Sequence, residues 1–325
     1  VNFSGESFVN QVLECNTFTI DSVTIESFVK DESNYCETYG IVRTIGDGFI
    51  SYGYKLKNAP ANFYMKNCHI SDEFATIESG LIHYLNGIKD IDITNCSVKS
   101  NTKQSAFISS DRLSNSYDGY KQSDNTIKIS YCSNYGDTSN LIEVASCDTF
   151  YASGDYDGRR DSYYNQNLII DNIANYGSVS GAMFINKVFV YENTDISNWG
   201  DYFKIDKILN FGNINSFVGV DVISNVPAED EEVTATSKIK SSFTINSCFN
   251  AGSTTNASFN FTSDVTNNYQ FTPLTGIEDS GAFSVSNFSQ INSDFFINTI
   301  GLDPERWNLS YINIQDEYGL PTIIY

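Results

Sequence analysis

The chain has 325 residues, of which 41% are hydrophobic, and this is enough apolar material for a continuous core. It carries 40 acidic and 19 basic residues, and a net charge of -21 opposes binding to nucleic-acid phosphates. No apolar run approaches the roughly 20 residues that span a bilayer, so membrane insertion is not expected.

The composition favours β-structure. Phe and Tyr number 23 and 21, whereas Pro and Met number 5 and 2. Aromatic residues are enriched in strands, and no stretch combines helical periodicity over about a dozen residues with a recognisable cap. The sequence therefore predicts an all-β protein.

A signature of the form apolar-x-apolar-x-x-apolar recurs along the chain. Alternation of its first two apolar residues is the period of a strand with one buried face, and the two skipped positions predict a bend. The copies are Phe18-Ile20-Val23, Phe63-Met65-Cys68, Ile91-Ile93-Cys96, Ile127-Ile129-Cys132, Leu168-Ile170-Ile173, Phe203-Ile205-Ile208, Phe243-Ile245-Cys248 and Phe283-Val285-Phe288.

Two further features accompany the signature. A second apolar cluster follows several copies and predicts a second strand; these clusters are Ala106-Phe107-Ile108, Leu141-Ile142-Val144, Ala182-Met183-Phe184-Ile185, Phe217-Val218-Val220 and Phe295-Phe296-Ile297. Four copies also continue into Asn-x-Gly, with Gly136, Gly177, Gly212 and Gly252. Glycine two residues after Asn predicts turns that need a positive φ.

A repeat of this size cannot bury its apolar face alone, so stacking of copies is required. The sequence predicts a single-domain parallel β-helix, a β-solenoid of about eight coils, over residues 1–325. Residues 1–17 are expected to form an N-terminal cap, 18–300 the coils and 301–325 a C-terminal closing segment. Long loops are expected around residues 30–60, 109–125, 148–166, 186–202, 221–240 and 262–282.

The Asn-x-Gly repeats followed by apolar patches resemble the GLUG-type repeat surface proteins. The C-terminal stretch is similar to the closing coil of that family in Gly301, Asp303, Trp307, Gly319, Pro321 and Ile323. The resemblance covers roughly residues 125–325 well. It implies a secreted or cell-surface β-helix, often adhesive or structural, and it carries over no catalytic residue.

A polysaccharide lyase or glycoside hydrolase on the same scaffold is the alternative function. Such chemistry requires carboxylates from adjacent coils a few ångströms apart, and a lyase would use Ca²⁺ beside an Arg base. Asn193-Thr194-Asp195 resembles the opening motif of polygalacturonases without its later elements. A weak Ca²⁺ site comprises Asp155, Asp157 and Asp161 beside Arg159 and Arg160, and a solvated polar loop is the competing interpretation.

Other side chains suggest binding or covalent modification. A tyrosine cluster is predicted to contact a glycan or protein partner, or else to cover neighbouring coils: Tyr117, Tyr120, Tyr156, Tyr163 and Tyr164. N-glycosylation candidates are Asn2, Asn95, Asn256, Asn260, Asn287 and Asn308. Cys68, Cys96, Cys132 and Cys248 share an inward position, whereas Cys15 and Cys36 are the disulfide candidates.

The sequence as a whole favours a non-catalytic module. We expect an extracellular or cell-surface β-solenoid with a structural, fibre-forming or adhesive role, which binds a glycan or protein or self-associates into filaments through its strand edges. No catalytic residue, metal centre or cofactor is predicted. The two histidines, His69 and His83, lack the spacing of a zinc site.

Overall fold

A computed structural model describes residues 2–3, 7–12, 15–28, 38–45, 62–85, 90–109, 125–147, 166–190, 201–224, 242–255, 264–266, 268–271 and 282–325. Within these residues the chain is all-β, as predicted, apart from short helical turns at Phe288–Gln290, Phe295–Ile300 and Glu317–Gly319. None of these turns has the length or apolarity of a membrane span. The strands are β1 (Asn2–Phe3), β2 (Val9–Val12), β3 (Thr17–Asp21), β4 (Thr24–Ile25), β5 (Ser27–Phe28), β6 (Val42–Ile45), β7 (Asn62–Lys66), β8 (His69–Ile70), β9 (Thr76–Ile77), β10 (Ile82–Leu85), β11 (Asp90–Thr94), β12 (Ser97–Val98), β13 (Asn101–Thr102), β14 (Ser105–Ser109), β15 (Asn125–Asn134), β16 (Asn140–Cys147), β17 (Gln166–Asn175), β18 (Val179–Val190), β19 (Asp201–Asn210), β20 (Ile214–Ser224), β21 (Ser242–Asn246), β22 (Phe249–Asn250), β23 (Asp264–Thr266), β24 (Tyr269–Phe271), β25 (Phe283–Val285), β26 (Trp307–Asn308) and β27 (Thr322–Ile323).

The signature strands form one 14-stranded parallel sheet, called here the long sheet. Its main path runs β3, β7, β11, β15, β17 and β19, so strands from successive repeats are neighbours. Ile129 pairs with Ile170, which pairs with Ile205, and Ile205 pairs with Ile245. All four side chains are fully buried in one core. Equivalent residues of successive repeats therefore lie side by side, as the repeat predicts.

A second parallel sheet of seven strands faces the same core, in the order β2, β6, β10, β14, β16, β18 and β20. A short third row begins with β9 and β13 and continues through bridges from Thr138 to Val179 and from Ile214 to Thr254. The chain passes through the second sheet, the long sheet and the third row in the same order in successive repeats. Parallel sheets stacked in this way fit a β-helix.

The bend within each long-sheet strand is produced by one residue with a left-handed backbone. This residue immediately precedes the last apolar residue of seven signatures, and its φ lies between 51° and 58°. The bend residues are Ser22, Asn67, Asn95, Tyr131, Asn172, Lys207 and Ser247. Because the left-handed region costs free energy for residues other than glycine, Asn is favoured at this position and occurs in three of the seven.

The Asn-x-Gly glycines serve a purpose different from the one predicted. Among the described residues, the only glycine with a positive φ is Gly301, so the turns at Gly136, Gly177, Gly212 and Gly252 do not require one. A Cβ on Gly177 would instead lie 2.0 Å from the carbonyl oxygen of Gly136, and one on Gly212 would lie 1.9 Å from that of Gly177. These positions exclude a side chain because successive backbones stack too closely.

The asparagines of the Asn-x-Gly turns form a buried ladder. Asn134, Asn175, Asn210 and Asn250 are fully buried at equivalent positions. The side-chain amide of Asn175 donates to Asn210 Oδ1 at 2.7 Å and to the Gly177 carbonyl at 2.7 Å, and it accepts from Asn134 at 2.9 Å. Asn134, Asn175 and Asn210 therefore each donate to the carbonyl of their own turn and to Oδ1 of the next Asn.

Several strand predictions need correction. Strand β6 lies inside the predicted loop 30–60, β23 and β24 lie inside 262–282, and β18 and β20 extend into other predicted loops as far as Val190 and Ser224. The cluster Phe295-Phe296-Ile297 is a helical turn, because consecutive apolar residues do not by themselves distinguish a strand from a helix. Val285 pairs with Phe271 in the part of the sheet beyond the bend, so the eighth signature is out of register.

The C-terminal residues lie along the outer side of the long sheet. Ala174, Leu209 and Phe249 alternate with the inward-facing ladder and are fully buried in a second apolar cluster. That cluster also contains Phe296 and Trp307 from the C-terminal segment. We call residues 288–325, which cover these outward positions, the C-terminal strap. The strap leaves the third row uncovered on its outer face, where a groove is found.

Candidate binding groove

A shallow groove of about 650 Å³ lies on the outside of the third row. Its lining spans six successive repeats, and neighbouring parallel strands are about 4.8 Å apart. The lining residues are Thr76, Asn101, Thr102, Lys103, Asp137, Thr138, Ser139, Ser178, Val179, Ser180, Asn213, Ile214, Asn215, Ser253 and Thr255. Hydroxyl and amide groups therefore dominate this surface.

The sequence builds the groove from triplets of alternating direction. In each triplet the central residue points inward: Thr138, Val179 and Ile214 are 5%, 2% and 3% exposed. Its two neighbours point outward because side chains alternate across a strand. The outward pairs are Asn101 and Lys103, Asp137 and Ser139, Ser178 and Ser180, Asn213 and Asn215, and Ser253 and Thr255.

One row of outward side chains is oriented by the next repeat. Asn101 Oδ1 accepts the Asp137 backbone N–H at 2.8 Å, and Asp137 Oδ1 accepts that of Ser178 at 2.9 Å. Asn213 Oδ1 likewise accepts the Ser253 hydroxyl. Within the described residues, the other polar atom of each of these side chains (an amide Nδ2 or the second carboxylate oxygen) has no hydrogen-bond partner. The row therefore presents fixed groups that can hydrogen-bond to a ligand.

The backbone N–H groups at the centre of the groove triplets already have hydrogen-bond partners. The N–H groups of Thr138, Val179 and Ile214 donate to carbonyls of the next repeat at 2.9, 2.7 and 2.9 Å. An extended peptide could not add to these strands through main-chain hydrogen bonds, because the N–H groups are used. Recognition here must use side chains.

The groove carries little net charge in a strongly acidic protein. Of the lining residues, Lys103 and Asp137 are ionisable, and Lys103 forms an ion pair with Glu78. Phe74, two residues before the lining residue Thr76, is 90% exposed, and its backbone N–H donates to Asp72 Oδ1 at 3.1 Å. An exposed aromatic residue is thus separated from the groove lining by a single residue, Ala75.

Most residues singled out from sequence lie outside the described part of the chain. These are Tyr117, Tyr120, Tyr156, Tyr163 and Tyr164 of the tyrosine cluster, Asp155, Asp157 and Asp161 with Arg159 and Arg160 of the weak Ca²⁺ site, Asn193-Thr194-Asp195, the sequons at Asn256 and Asn260, and Cys36. Their roles stay predictions. In the residues that the structure does describe, no group of three or more His, Cys, Asp or Glu side chains could hold a metal ion.

The remaining sequons differ in environment. Asn2 lies in strand β1, and only its backbone is described. Asn287 and Asn308 are exposed, and their side chains cap the backbone N–H groups of Ser289 and Ser310. Asn95 is half-buried, donates to Asn67 at 3.1 Å and accepts from the Arg306 guanidinium, so a glycan there would displace the strap.

The cysteines at the inward position are buried and free. Cys68, Cys96, Cys132 and Cys248 are all fully buried. Burial raises the pKa of the Cys96 thiol well above its ordinary value, and the thiol donates to the Thr94 carbonyl at 3.2 Å. These side chains act as core residues. Cys15 is half-buried, and its pairing with Cys36, which lies outside the described residues, stays a prediction.

Sequence reasoning missed the groove altogether. A signal was present, because a polar-x-polar triplet directly follows each Asn-x-Gly glycine, as in Ser178-Val179-Ser180 and Asn213-Ile214-Asn215. The same triplets are typical of any solvated turn, so their alignment on one face became apparent only in the structure.

Comparison with models of protein families, with curated proteins and with solved structures gives no match. The resemblance to GLUG-type repeat proteins therefore stays an expectation from sequence.

Proposed function

We propose that the chain is a single-domain parallel β-helix of about eight coils that works outside the cell or at its surface as a structural or adhesive module. The in-register sheets and the repeated order of strands support the β-helix. The acidic charge of -21 and the long polar outer surface suit a module that stays soluble while it contacts a partner.

The groove on the third row carries the functional proposal. Its hydrogen-bonding side chains repeat over successive strands and are oriented by backbone contacts, as between Asn101 and Asp137. A regular row of this kind favours an extended, repetitive partner over a compact small molecule, because each level offers similar groups. Adhesion through many weak contacts follows from this arrangement.

Adhesion is tested with the full chain coupled to beads. We expect the beads to be retained under flow on surfaces coated with polysaccharide or with extracellular protein, and heat-denatured chain on the same beads to be lost. If native and denatured beads detach equally from every surface, the adhesive proposal is wrong.

Location and assembly need separate measurements. Intact mass of protein from its natural source, before and after enzymatic removal of N-glycans, is expected to fall by the mass of glycans at exposed sequons such as Asn308. Analytical ultracentrifugation across a wide concentration range tests filament formation, since end-to-end pairing of strand edges predicts species that grow with concentration. Unmodified protein that stays monomeric would contradict both expectations.

A further inference from the structure

We propose that the groove binds an uncharged linear polysaccharide, which lies across the strands of the third row with one sugar ring against Phe74. This inference rests on the adhesive function and specifies its ligand. The ligand class follows from three properties of the groove, which are its length, its polar groups and its charge, and from the exposed Phe74 two residues before the lining residue Thr76.

The length of the groove fits a chain ligand. From Asn101 to Ser253 the outward row crosses four strand intervals, or about 19 Å at about 4.8 Å per interval. A single sugar or a small metabolite would occupy only part of such a row, whereas several consecutive sugars would contact it throughout. The volume of about 650 Å³ in an open groove is also consistent with an extended ligand.

The polar groups of the groove match sugar hydroxyls. A sugar hydroxyl both donates and accepts, so it can bind amide N–H groups, serine hydroxyls and a carboxylate oxygen along the same row. Asn101 and Asn213 use Oδ1 for the adjacent repeat and keep Nδ2 for a ligand, while Asp137 keeps one oxygen. Because these side chains are already oriented, little conformational entropy is lost on binding.

The charge of the groove disfavours the other common polymers. A net charge of -21 repels polyanions such as nucleic acids and acidic polysaccharides. The cation in the lining, Lys103, is already paired with Glu78. A peptide strand cannot use the saturated backbone of the third row. A neutral polysaccharide is not repelled by the acidic protein and needs neither a free cation nor a free backbone N–H group.

Phe74 supplies the apolar contact that the polar row lacks. This residue is 90% exposed and lies two residues before the lining residue Thr76. An aromatic face offers a large rigid area to the apolar face of a sugar ring. The affinity of one module is expected to be weak, with a Kd on the order of 1 mM, because buried apolar area is small.

The test uses the full chain with three neutral hexasaccharides: β-1,4-linked glucose, β-1,3-linked glucose and β-1,4-linked N-acetylglucosamine. Binding is measured by saturation-transfer difference NMR and by calorimetry. Phe74→Ala is expected to weaken binding about threefold to tenfold, whereas Tyr318→Ala, an equally exposed aromatic on the strap, leaves it unchanged. Both positions are exposed, so neither variant should unfold the chain.

A second pair of variants tests the polar row. Asn213→Asp keeps the oxygen that accepts from Ser253 but removes the Nδ2 donor, and it is expected to weaken binding about tenfold. Asn308→Asp makes the same change of charge at an exposed Asn outside the groove and is expected to have no effect. Thermal unfolding of all four variants verifies that they remain folded.

The inference is overturned if the wild-type chain binds none of these oligosaccharides at concentrations on the order of 10 mM. It is also overturned if binding is unchanged in both groove variants, or if only an acidic oligosaccharide or a peptide binds. Bead adhesion separates the two proposals. Beads that adhere equally with wild type and with the Phe74→Ala, Asn213→Asp double variant disprove this ligand assignment but leave the adhesive function standing, whereas wild-type beads that never adhere disprove the function itself.

Discussion

Replacement of Asn175 by alanine tests the buried amide ladder directly. The side chain donates to the Gly177 carbonyl and to Asn210 Oδ1, and it accepts from Asn134, each across less than 3 Å. Alanine therefore leaves three buried groups without a partner: a carbonyl, an amide oxygen and one N–H of Asn134. The positions are fully buried, so water cannot replace the lost contacts without opening the core.

The expected loss of stability follows from these three groups. An unsatisfied buried polar group costs about 1–3 kcal/mol, so the three together cost about 3–9 kcal/mol. The cost is smaller at the end of the ladder, where Asn134 Oδ1 has no partner within the described residues. There alanine leaves only two groups unsatisfied, and Asn134→Ala is expected to cost about 1–3 kcal/mol less than Asn175→Ala.

Urea unfolding monitored by circular dichroism measures both variants. We expect the midpoint to fall in the order wild type, Asn134→Ala, Asn175→Ala, with an unchanged denaturant slope, since the surface exposed on unfolding stays the same. An Asn175→Ala variant within about 1 kcal/mol of wild type would refute the ladder argument. So would an Asn134→Ala variant that is the less stable of the two.

Three further predictions concern the stacking of glycines, the strap and a half-buried carboxyl group. Gly212→Ala places a Cβ 1.9 Å from the Gly177 carbonyl oxygen, whereas the Cβ of Gly219→Ala meets its nearest atom at 3.1 Å. In urea unfolding we expect Gly212→Ala to lower the free energy of unfolding by about 3 kcal/mol or more and Gly219→Ala to lower it by about 1 kcal/mol or less. Equal losses would contradict the close stacking of the backbones. The Tyr325 hydroxyl contacts Ser133 Oγ and the Cys96 carbonyl, and its desolvation raises its pKa above the ordinary value of 10, although the residue as a whole is 47% exposed. The stability that this hydroxyl supplies is therefore complete below pH 10 and is lost as the pH rises. A melting temperature of Tyr325→Phe that falls at alkaline pH as steeply as that of wild type would argue against this role. Burial also raises the pKa of Asp171 above 3.8, so its carboxylate is unfavourable in the folded state at pH 7. We expect Asp171→Asn to raise the melting temperature at pH 7, and we expect this gain to vanish near pH 3.8 and below. A lower melting temperature of Asp171→Asn at pH 7 would show that the charge is needed.

The candidate groove was not predicted from the sequence. The sequence directed attention to tyrosines and aspartates in long insertions, because such residues often bind ligands in loops. The groove is instead lined mainly by serine, threonine and asparagine side chains, which are common in any solvated turn. Ser178 and Asn213, for example, belong to one surface only because their repeats stack, and stacking is a tertiary relationship.

The sequence by itself determined the all-β class and the register of the long sheet over the first seven copies of the signature. A strand with one buried face must place apolar residues two apart, so recurrence of this spacing identified residues such as Ile129 and Ile170 as core neighbours. The recurrence of Asn and Gly at fixed offsets likewise predicted that each position imposes one residue type on every repeat.

The tertiary structure decided what those recurrent residues do. Gly177 is needed because the backbone of the adjacent repeat lies within van der Waals distance, and no local pattern reports such an approach. Trp307 and Tyr325 lie against Asn172 and Ser133, more than a hundred residues earlier in the sequence. Long-range contacts of this kind arise only after the sheets have formed, so they cannot be inferred from the spacing of residues along the chain.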